Sequence, residues 1–537
     1  MAVPLISDTE RHVIRSPFAD AQIPHIPVGA WMLRDAARYG AKPAMIDGST
    51  GESFSYTRML SSVNRVAAGL HQMGARKGEV VAIFSSNRPE FAIAFLAVVS
   101  IGAVVTTANP LSTPPELANQ LRDARVTLIF TAPELLAVAR EAAAIAGVAH
   151  VVVFGDSGVA TPFSALLEHT TDPPSVSIDP RQDLAVLPYS SGTTGLPKGV
   201  MLTHYNLVAH DCVIEGDEVI EADDVLIAVL PFWHIYGMSI LMNAALSRGA
   251  TIVTMPRFDM ESFLQLIQDY RVTRAFLVPP IVLGLAKHPS VDNYDLTSLG
   301  TIFCGAAPLD AVLSRACADR LNCAVVQGYG MTETSPVTHL TPKGRAKDGS
   351  IGVCARSTEA LIVDPDTLQP VARGVTGELW VRGPQVMLGY LNNPAATSAT
   401  LVDGGWIRTG DIAYADDDGY FYIVDRLKEL IKYNAYSIAP AELEAHLLSH
   451  PAVADAAVIG HPDEAAGELP KAFVVLRSDV TAEELMGYVS QRVAPQKRIR
   501  LVEFIDQIPK SASGKILRRV LVERERAAAL QSSQPPD

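Results

Sequence analysis

The stretch from Ser190 to Lys198 carries residue types that together could bind a polyphosphate. It reads Ser-Ser-Gly-Thr-Thr-Gly-Leu-Pro-Lys, and it follows an apolar run at 183–187 that predicts a buried strand. Glycines let backbone N–H groups approach an anion closely, hydroxyls add donors, and a lysine adds a point charge. The run differs from a Walker A loop, because Pro197 precedes the lysine and a glycine follows it. A plain surface turn is the alternative interpretation of this composition.

Five further segments carry candidate functional groups, and each also has an ordinary structural interpretation. A histidine beside aromatic residues is usually a core histidine, small residues after a strand form tight turns, and an aspartate after glycine is a common turn residue. A lysine in a Ser/Gly loop is ordinarily solvated. The segments are Pro-Phe-Trp-His-Ile-Tyr-Gly at 231–237, Cys-Gly-Ala-Ala-Pro at 304–308, Gln-Gly-Tyr-Gly-Met-Thr-Glu at 327–333, Trp-Ile-Arg-Thr-Gly-Asp at 406–411 and Pro-Lys-Ser-Ala-Ser-Gly-Lys at 509–515.

The composition argues against several classes of function. A formal net charge of −14 disfavours nucleic acid or an anionic membrane as the main partner. Five cysteines without a CxxC pair indicate thiols in a reducing compartment rather than a metal site. The sequence has no apolar signal-peptide core, no apolar run long enough to cross a bilayer and no Ser-Lys-Leu ending. We therefore expect a cytoplasmic enzyme without a transmembrane segment.

Alternating patterns along the chain predict the elements that position these segments. Strand-like runs such as 79–84 and 126–130 alternate with helical stretches such as 56–73 and 114–123. This alternation predicts a large α/β domain with parallel-rich sheets. After about residue 349, short strands with glycine punctuation predict a small β subdomain.

The length of 537 residues is too great for one simple core and predicts more than one domain. Beyond a boundary near 425–429, helices and strands mix within roughly a hundred residues, which predicts a small α+β domain. The predicted organisation is a large N-terminal domain at 1–427 followed by a small C-terminal domain at 428–537.

Taken in order, the loop and the five segments closely resemble the adenylate-forming superfamily of acyl-CoA synthetases, luciferases and peptide-synthetase adenylation domains. The resemblance extends from about Val28 to Arg519. His-Ile-Tyr-Gly at 234–237 and Asp-Arg-Leu-Lys-Glu-Leu-Ile-Lys at 425–432 are most similar to 4-coumarate–CoA ligases and related medium- or long-chain acyl-CoA synthetases. The resemblance implies that a carboxylate attacks ATP to give acyl-AMP and pyrophosphate, after which a thiol takes the acyl group.

The resemblance also implies a role for each segment. Lys198 and the loop would hold the phosphates, Glu333 would bind Mg²⁺, and Lys515 would offset charge that develops as the carboxylate attacks phosphorus. The implied nucleotide-binding residues are Ser190, Ser191, Gly192, Thr193, Thr194, Gly195, Lys198, Gly305, Ala306, Ala307, Gln327, Gly328, Tyr329, Gly330, Thr332, Asp411, Arg426 and Lys515. The implied acyl-binding residues are His234, Tyr236, Gly305, Gly330 and Val337. The implied catalytic residues are Lys515, Lys198, Thr332 and Lys432, and for Lys432 a solvated hairpin charge is an equal alternative.

One departure from the family pattern lies beyond the implied hinge at Lys428, about which the small domain would rotate between half-reactions. The family usually has Lys-Gly, an aromatic residue and Gln here, whereas this chain has Asn434, Ala435 and Ser437 at the differing positions. Alanine resists positive φ and close backbone approach, and a cation near CoA is lost. Tolerated drift in an exposed hairpin and a weakened thioester step remain equal alternatives.

The sequence therefore predicts a carboxylic acid–CoA ligase that uses ATP and Mg²⁺, with an aryl-propenoic acid such as 4-coumarate as the acid. A fatty acid is the alternative substrate. A second hypothesis is an adenylating enzyme that delivers its acyl group to a carrier protein. A third is a nucleotide-binding protein without catalysis, which intact Lys198, Glu333, Asp411 and Lys515 disfavour. The expected partners are a small-molecule acid, ATP and CoA, and the oligomeric state stays open.

Overall fold

The computed structural model describes residues 9–190, 197–215, 219–433, 436–463, 466–511 and 514–532. The chain divides into two compact units that interleave along the sequence. The first unit contains Met1–Gly305, Ala311–Ala360 and Val381–Ile407, and the second contains Ala306–Asp310, Leu361–Trp380 and Arg408–Asp537.

One sheet of the first unit has a parallel centre, as the alternating pattern predicted. The strand Val80–Phe84 pairs in parallel with Val104–Ala108 on one side and with Val126–Thr131 on the other. The strand Lys198–Thr203 joins this sheet in antiparallel pairing. In spatial order its described strands are Tyr189–Ser190, Lys198–Thr203, Leu184–Val186, Val104–Ala108, Val80–Phe84, Val126–Thr131, His150–Val153 and Thr161–Pro162, with Gly389–Tyr390 also pairing with Lys198–Thr203.

A second sheet of the first unit carries three of the candidate segments. Its strands from Ala324–Gly330 to Pro43–Asp47 run parallel, so their carboxyl ends meet at one edge, where ligands commonly bind in α/β proteins. The segments at 231–237 and 327–333, and the first two residues of the segment at 304–308, lie at or just beyond those ends. In spatial order the described strands are Val353–Cys354, Val337–Leu340, Ala324–Gly330, Thr301–Cys304, Arg274–Leu277, Val225–Ala228, Thr251–Thr254, Pro43–Asp47 and Ser53–Ser55.

The helices of the first unit follow from their apolar patterns and caps. Tyr56–Gln72 buries one face and begins at Ser55, whose Oγ accepts a hydrogen bond from the Arg58 N–H. Pro89–Ser100 is apolar on nearly all sides and is buried at every position except Glu90 and Ser100. The described α-helices of this unit are Val28–Met32, Ala36–Tyr39, Tyr56–Gln72, Pro89–Ser100, Pro114–Asp123, Leu136–Ala146, Phe163–Leu167, His204–Val213, Ala245–Arg248, Met260–Tyr270, Pro279–Lys287, Ala311–Leu321 and Pro394–Thr400, and Gly237–Ala244 is a π-helix.

The short strands after residue 349 form the predicted β subdomain. Ile14–Arg15 pairs antiparallel with Glu359–Val363, and Leu401–Val402 pairs antiparallel with Trp406–Ala415. In the second unit, the distal part of Trp406–Ala415 pairs with Phe421–Arg426. The strand Gly377–Arg382 and the short 3₁₀ turns Thr9–Arg11, Pro133–Leu135, Pro289–Asn293, Thr332–Thr334 and Asp403–Gly405 complete the elements described before residue 428.

The C-terminal part of the second unit is α+β, as predicted. Antiparallel Val453–Asp463 and Gly467–Leu476 form its centre, and Leu501–Phe504 adds to Gly467–Leu476 in parallel. Leu443, Leu447 and Leu485 from two helices pack with apolar residues of these strands in one buried core. The remaining described elements are Ile431–Tyr433, Tyr436–Ile438, Pro440–Leu448, Ala482–Ser490, Pro495–Lys497 and Arg518–Ser532.

Among the described residues, no helix combines the length and the apolar character that spanning a bilayer requires.

Candidate active site

The stem of the predicted phosphate loop is a two-stranded pairing. Ser190 faces Lys198 and Tyr189 faces Gly199 in antiparallel register, so the chain reverses between these positions. The Tyr189 hydroxyl donates a hydrogen bond to Asp123 Oδ2 at 2.6 Å and thereby ties the stem to the end of a helix. The loop residues Ser191, Gly192, Thr193, Thr194 and Gly195 lie outside the described residues.

Beside this stem lies a group of polar side chains that the sequence had predicted only in part. Glu333 is buried, with 6% of its surface exposed. Its Oε1 accepts hydrogen bonds from Ser190 Oγ at 3.0 Å and from the Tyr390 hydroxyl at 2.8 Å. The Lys198 ammonium lies over the Tyr390 ring, 4.4 Å from the ring centroid. Ser190, Lys198 and Glu333 are therefore brought together, with Tyr390 as their shared neighbour.

The donor set around Glu333 fits Mg²⁺. Carboxylate and hydroxyl oxygens are hard ligands of the type that Mg²⁺ prefers, and a single protein carboxylate with nucleotide phosphates is a common arrangement. The hydroxyls of Ser190 and Tyr390 both donate to Oε1 of Glu333, and neither of them donates to Oε2. Within the described ranges, no group of three or more His, Cys, Asp or Glu side chains is placed to hold a metal ion, so Glu333 would act as a single protein carboxylate.

The segment at 327–333 is shaped by close backbone contacts. Gly330 pairs with Val337 across two antiparallel strands, and a Cβ on Gly330 would lie 2.0 Å from the Pro336 carbonyl oxygen. Any larger residue would therefore displace the backbone. Gln327 is buried, and its carbonyl accepts a hydrogen bond from Thr341 Oγ1 at 2.7 Å.

The rest of that segment continues the same strand. Gly328 faces Leu340, and Tyr329 faces His339. The ring centroids of Tyr329 and His339 lie 5.9 Å apart. Thr332 begins the short 3₁₀ turn that also carries Glu333.

Two of the predicted acyl-binding residues, Tyr236 and Gly305, lie among aromatic side chains. The Tyr236 ring lies against Gly305, where a Cβ would come within 3.2 Å of it. Tyr236 also packs edge-on to Phe276, which stacks on Phe303 with ring centroids 4.9 Å apart. Burial raises the pKa of the Tyr236 phenol, which therefore remains neutral. The structure thus places two predicted pocket residues, Tyr236 and Gly305, in direct contact.

His234 is oriented by its own backbone. Its Nδ1 accepts a hydrogen bond from the Tyr236 N–H at 3.2 Å, so a neutral ring carries its proton on Nε2 and can donate from there. The ring of Trp233 lies edge-on to that of His234.

Two side chains that the sequence analysis missed hold the 231–237 segment. Buried Asn87 donates to the carbonyls of Ala228 at 2.7 Å and Leu230 at 2.8 Å, and its Oδ1 accepts from the Phe232 N–H at 2.7 Å. Thr107 Oγ1 donates to the Trp233 carbonyl at 2.6 Å. Because these bonds join residues far apart in sequence, no local pattern indicates them.

In the second unit, Asp411 and Arg426 face each other across a strand pair, as a shared role requires. Arg426 Nε lies 3.4 Å from Asp411 Oδ1. The preceding residues are fixed by Glu378, which is 1% exposed. It accepts hydrogen bonds from Arg408 Nη2 at 2.8 Å and from the Gly410 N–H at 3.2 Å. Glu378 therefore fixes the backbone that leads into Asp411.

The remaining second-unit residues lie in turns and loops. Ala306 is exposed and has a φ of +69°, a left-handed conformation unusual for alanine. Ala307 follows it and is half-buried. Lys428 is exposed in a turn closed by the Glu429 N–H, which donates to the Arg426 carbonyl at 3.0 Å.

The two C-terminal lysines differ in setting. Lys432 is exposed on a hairpin strand, which leaves both of its interpretations open. Half-buried Lys515 belongs to a tight loop, in which its N–H donates to Ser511 Oγ at 3.1 Å and its carbonyl accepts from the Ser511 N–H at 2.8 Å. Asn434 and Ala435 lie outside the described residues.

Comparisons with known proteins identify the family and the fold of this chain. A family model described as AMP-binding enzyme matches residues 32–391, and one described as AMP-binding enzyme C-terminal domain matches residues 442–515. A 4-coumarate–CoA ligase 5 of Oryza sativa subsp. japonica is 44% identical over 529 residues, which cover 95% of this chain and 97% of that protein.

Two solved structures share the fold. ATP-bound MatB from Rhodopseudomonas palustris has a TM-score of 0.85 and 29% identity, covering 93% of this chain and 99% of that one. The anthranilate CoA ligase AuaEII in complex with anthranoyl-AMP has a TM-score of 0.87 and 26% identity, covering 94% of this chain and 98% of that one.

The chain therefore belongs to the AMP-binding enzyme family, and the predicted adenylate-forming superfamily and α/β plus α+β fold are confirmed. Its predicted enzyme class, an AMP-forming acid–CoA ligase, is confirmed as well. The family and its ATP-bound neighbour support ATP as a substrate.

Proposed function

We propose that this protein is a carboxylic acid–CoA ligase whose acid is an aryl-propenoic acid of the 4-coumarate type. The observation that carries the proposal is the 44% identity, over nearly the whole length of both chains, to a 4-coumarate–CoA ligase. The ring of Tyr236 next to side-chain-free Gly305 supports a planar acyl group. A fatty acid remains the alternative substrate.

In the proposed first half-reaction, a carboxylate oxygen of the acid attacks the α-phosphorus of ATP. A P–O bond forms, the bond between the α-phosphorus and the bridging oxygen breaks, and pyrophosphate leaves. Lys198 binds the phosphates, and Lys515 offsets the negative charge that develops at the reacting oxygens. Thr332 adds a hydroxyl donor to the phosphates, while Asp411 accepts the ribose hydroxyls and Arg426 supports it.

Glu333 is the residue that would hold Mg²⁺, with Ser190 and Tyr390 fixing its carboxylate. When bound, Mg²⁺ supplies charge neutralisation on the phosphates. We assign orientation of the acid to His234 and Tyr236: Nδ1 of His234 accepts from the Tyr236 N–H, so a neutral ring carries its proton on Nε2, and Tyr236 is a neutral phenol.

In the proposed second half-reaction, the thiol of CoA loses its proton to solvent and its sulfur attacks the acyl carbon. A C–S bond forms, the bond between the acyl carbon and the phosphate oxygen breaks, and AMP leaves with that carboxylate-derived oxygen. We propose that residues 428–537 move as a small domain about a hinge at Lys428 between the two steps. The exposed position of Lys428 in a turn between strands supports a hinge there, because hinge residues commonly lie in loops or at the ends of elements.

The test is to follow ATP–pyrophosphate exchange and thioester formation separately with 4-coumarate and with a medium-chain fatty acid. We expect exchange and thioester with 4-coumarate, at a higher kcat/KM than with the fatty acid. Lys198→Ala should abolish most exchange, whereas Lys287→Ala, at an exposed helical lysine, should leave it unchanged. Exchange with neither acid would contradict the proposal.

The acceptor is tested in the same experiment. The departure at Asn434 and Ala435 from the family pattern favours, as a second candidate, an enzyme that delivers its acyl group to a carrier protein. Pyrophosphate release without thioester in the presence of CoA would support that candidate. Thioester formation at a rate close to that of exchange would reject it.

A further inference from the structure

Tyr390 contacts two residues to which nucleotide binding is assigned, and it does so with different parts of its side chain. Its hydroxyl donates to Glu333 Oε1 at 2.8 Å, while the Lys198 ammonium lies 4.4 Å from its ring centroid. Only 6% of the Tyr390 surface is exposed. One buried side chain therefore joins an anion and a cation of the candidate site.

The backbone around Tyr390 is held on both sides. Tyr390 faces Val200 in the antiparallel pairing with the strand that begins at Lys198, and the Leu391 N–H donates to the Gly199 carbonyl at 2.8 Å. The Tyr390 N–H donates to Thr397 Oγ1 at 2.9 Å. Because these bonds fix its main chain, the ring and the hydroxyl are positioned without any ligand.

The carboxylate of Glu333 is fixed in the same way. Its backbone carbonyl accepts a hydrogen bond from the Met387 N–H at 2.9 Å, which lies in the segment leading to Tyr390. Its Oε1 receives two hydroxyl donors, from Ser190 and Tyr390, which together oppose rotation of the carboxylate.

We propose that Tyr390 is a positioning residue for Mg·ATP: its hydroxyl fixes the Glu333 carboxylate for Mg²⁺, and its ring holds the Lys198 ammonium for the phosphates. The inference rests on the proposed function, because it takes those roles of Glu333 and Lys198 from it. The two contacts are chemically separable, since phenylalanine keeps the ring and loses the hydroxyl, whereas leucine loses both.

The experiment measures equilibrium binding of ATP by calorimetry, with Mg²⁺ and with EDTA, to the full chain and to its Tyr390→Phe and Tyr390→Leu variants. A hydrogen bond to a charged group contributes enough that we expect Tyr390→Phe to weaken Mg·ATP binding about tenfold. ATP binding in EDTA should stay unchanged in that variant. Tyr390→Leu should in addition weaken binding in EDTA several-fold, because the cation–π contact with Lys198 is lost.

Tyr56→Phe is the matched control. Tyr56 is a buried tyrosine whose hydroxyl donates to the Ala250 carbonyl at 2.7 Å. It directly follows Ser53–Ser55, an edge strand of the second sheet that is separated from Ala324–Gly330 by several other strands. It should bind ATP like the wild type under both conditions. Thermal melting of Tyr390→Phe and Tyr56→Phe then separates loss of positioning from loss of folding, because each variant lacks one buried hydroxyl.

Equal weakening of ATP binding with and without Mg²⁺ in Tyr390→Phe, or no weakening, would overturn the assignment for Glu333. Binding in EDTA that is the same for Tyr390→Leu and Tyr390→Phe would overturn the assignment for Lys198. A wild-type protein that binds no Mg·ATP would reject the proposed function as well. Wild-type binding that both variants retain would reject this inference alone.

Discussion

Arg518 holds two carboxylates in the second unit, and its removal tests how strongly this pairing stabilises the unit. Nη2 of Arg518 donates to both carboxylate oxygens of Glu444 at 2.7 Å, and Nη1 donates to Glu429 Oε2 at 2.5 Å. The side chains of Arg518, Glu444 and Glu429 are 14%, 9% and 16% exposed. Arg518→Met would leave Glu444 buried without a cation.

The burial of the partners sets the magnitude. Breaking a buried ion pair by removing one partner costs about 3–5 kcal/mol, because the remaining charge is uncompensated. The Arg271–Asp295 pair provides the control, since its side chains are 59% and 51% exposed. Exposed pairs contribute about 0–1 kcal/mol. At pH 7 we therefore expect Arg518→Met to lower the local unfolding free energy by about 3 kcal/mol, and Arg271→Met to leave it nearly unchanged.

The cost of Arg518→Met should grow with pH. Burial already raises the pKa of Glu444 above its ordinary value of 4.5, while the charge of Arg518 lowers it, so the variant has a higher folded pKa. A carboxyl with a raised folded pKa contributes stability below its unfolded pKa, and that contribution is lost as pH rises through the folded value. The deficit of the variant should therefore be small near pH 4.5 and larger at pH 7.

The measurement is native-state hydrogen exchange at several pH values, on peptides from Pro440–Leu448 and Val453–Asp463 for Arg518→Met and on peptides from Met260–Tyr270 for Arg271→Met, each against wild type. Pro440–Leu448 carries Glu444, whose Oε1 accepts from the Val458 N–H in Val453–Asp463, and Arg271 caps Met260–Tyr270, so local opening of these elements reports each loss. A deficit at pH 7 no larger than that of Arg271→Met, or one that does not change with pH, would refute the reasoning.

Three further predictions concern the first unit and the terminal lysine. Gly330→Ala would place a Cβ 2.0 Å from the Pro336 carbonyl oxygen, so we expect pyrophosphate exchange to fall at least tenfold, whereas Gly487→Ala, whose Cβ meets open space in a helix, should leave exchange unchanged. Lys515→Ala should lower exchange by about 10²–10³-fold while sparing thioester formation from supplied acyl-AMP, and equal loss of both activities would contradict its role. Desolvation lowers the folded pKa of buried His204 to about 4 and the folded pKa of both buried His210 and buried His339 to about 3, well below the ordinary 6.5. Below pH 6.5 the unfolded chain binds more protons than the folded chain, so each of these histidines should lower the unfolding free energy by about 1.4 kcal/mol per pH unit as the pH falls. Urea unfolding at pH 7 and 5.5 should therefore show a smaller pH effect on the unfolding free energy in each His→Gln variant.

Much of the fold could be predicted because its signals are local. The apolar run at 126–130 became the strand Val126–Thr131, and the amphipathic stretch from Tyr56 became the helix Tyr56–Gln72. Periodicity and caps act over a few residues, so they can be read without knowing the partner of each element. The division into units could not be read this way, since strands at 361–380 cluster with the C-terminal part of the chain.

Some features of the candidate site were likewise predictable from local sequence, and others depended on the tertiary structure. By itself, the sequence determined which segments carry chemistry, because the loop ending at Lys198 and the segment ending at Glu333 each have a distinctive local order of residues. Only the tertiary structure decided that Tyr390, 57 residues beyond Glu333, donates to its carboxylate and lies under Lys198. A tyrosine after a glycine has no distinctive local pattern. Its role depends on the pairing of two distant strands, whose register is set by the packing of the whole unit.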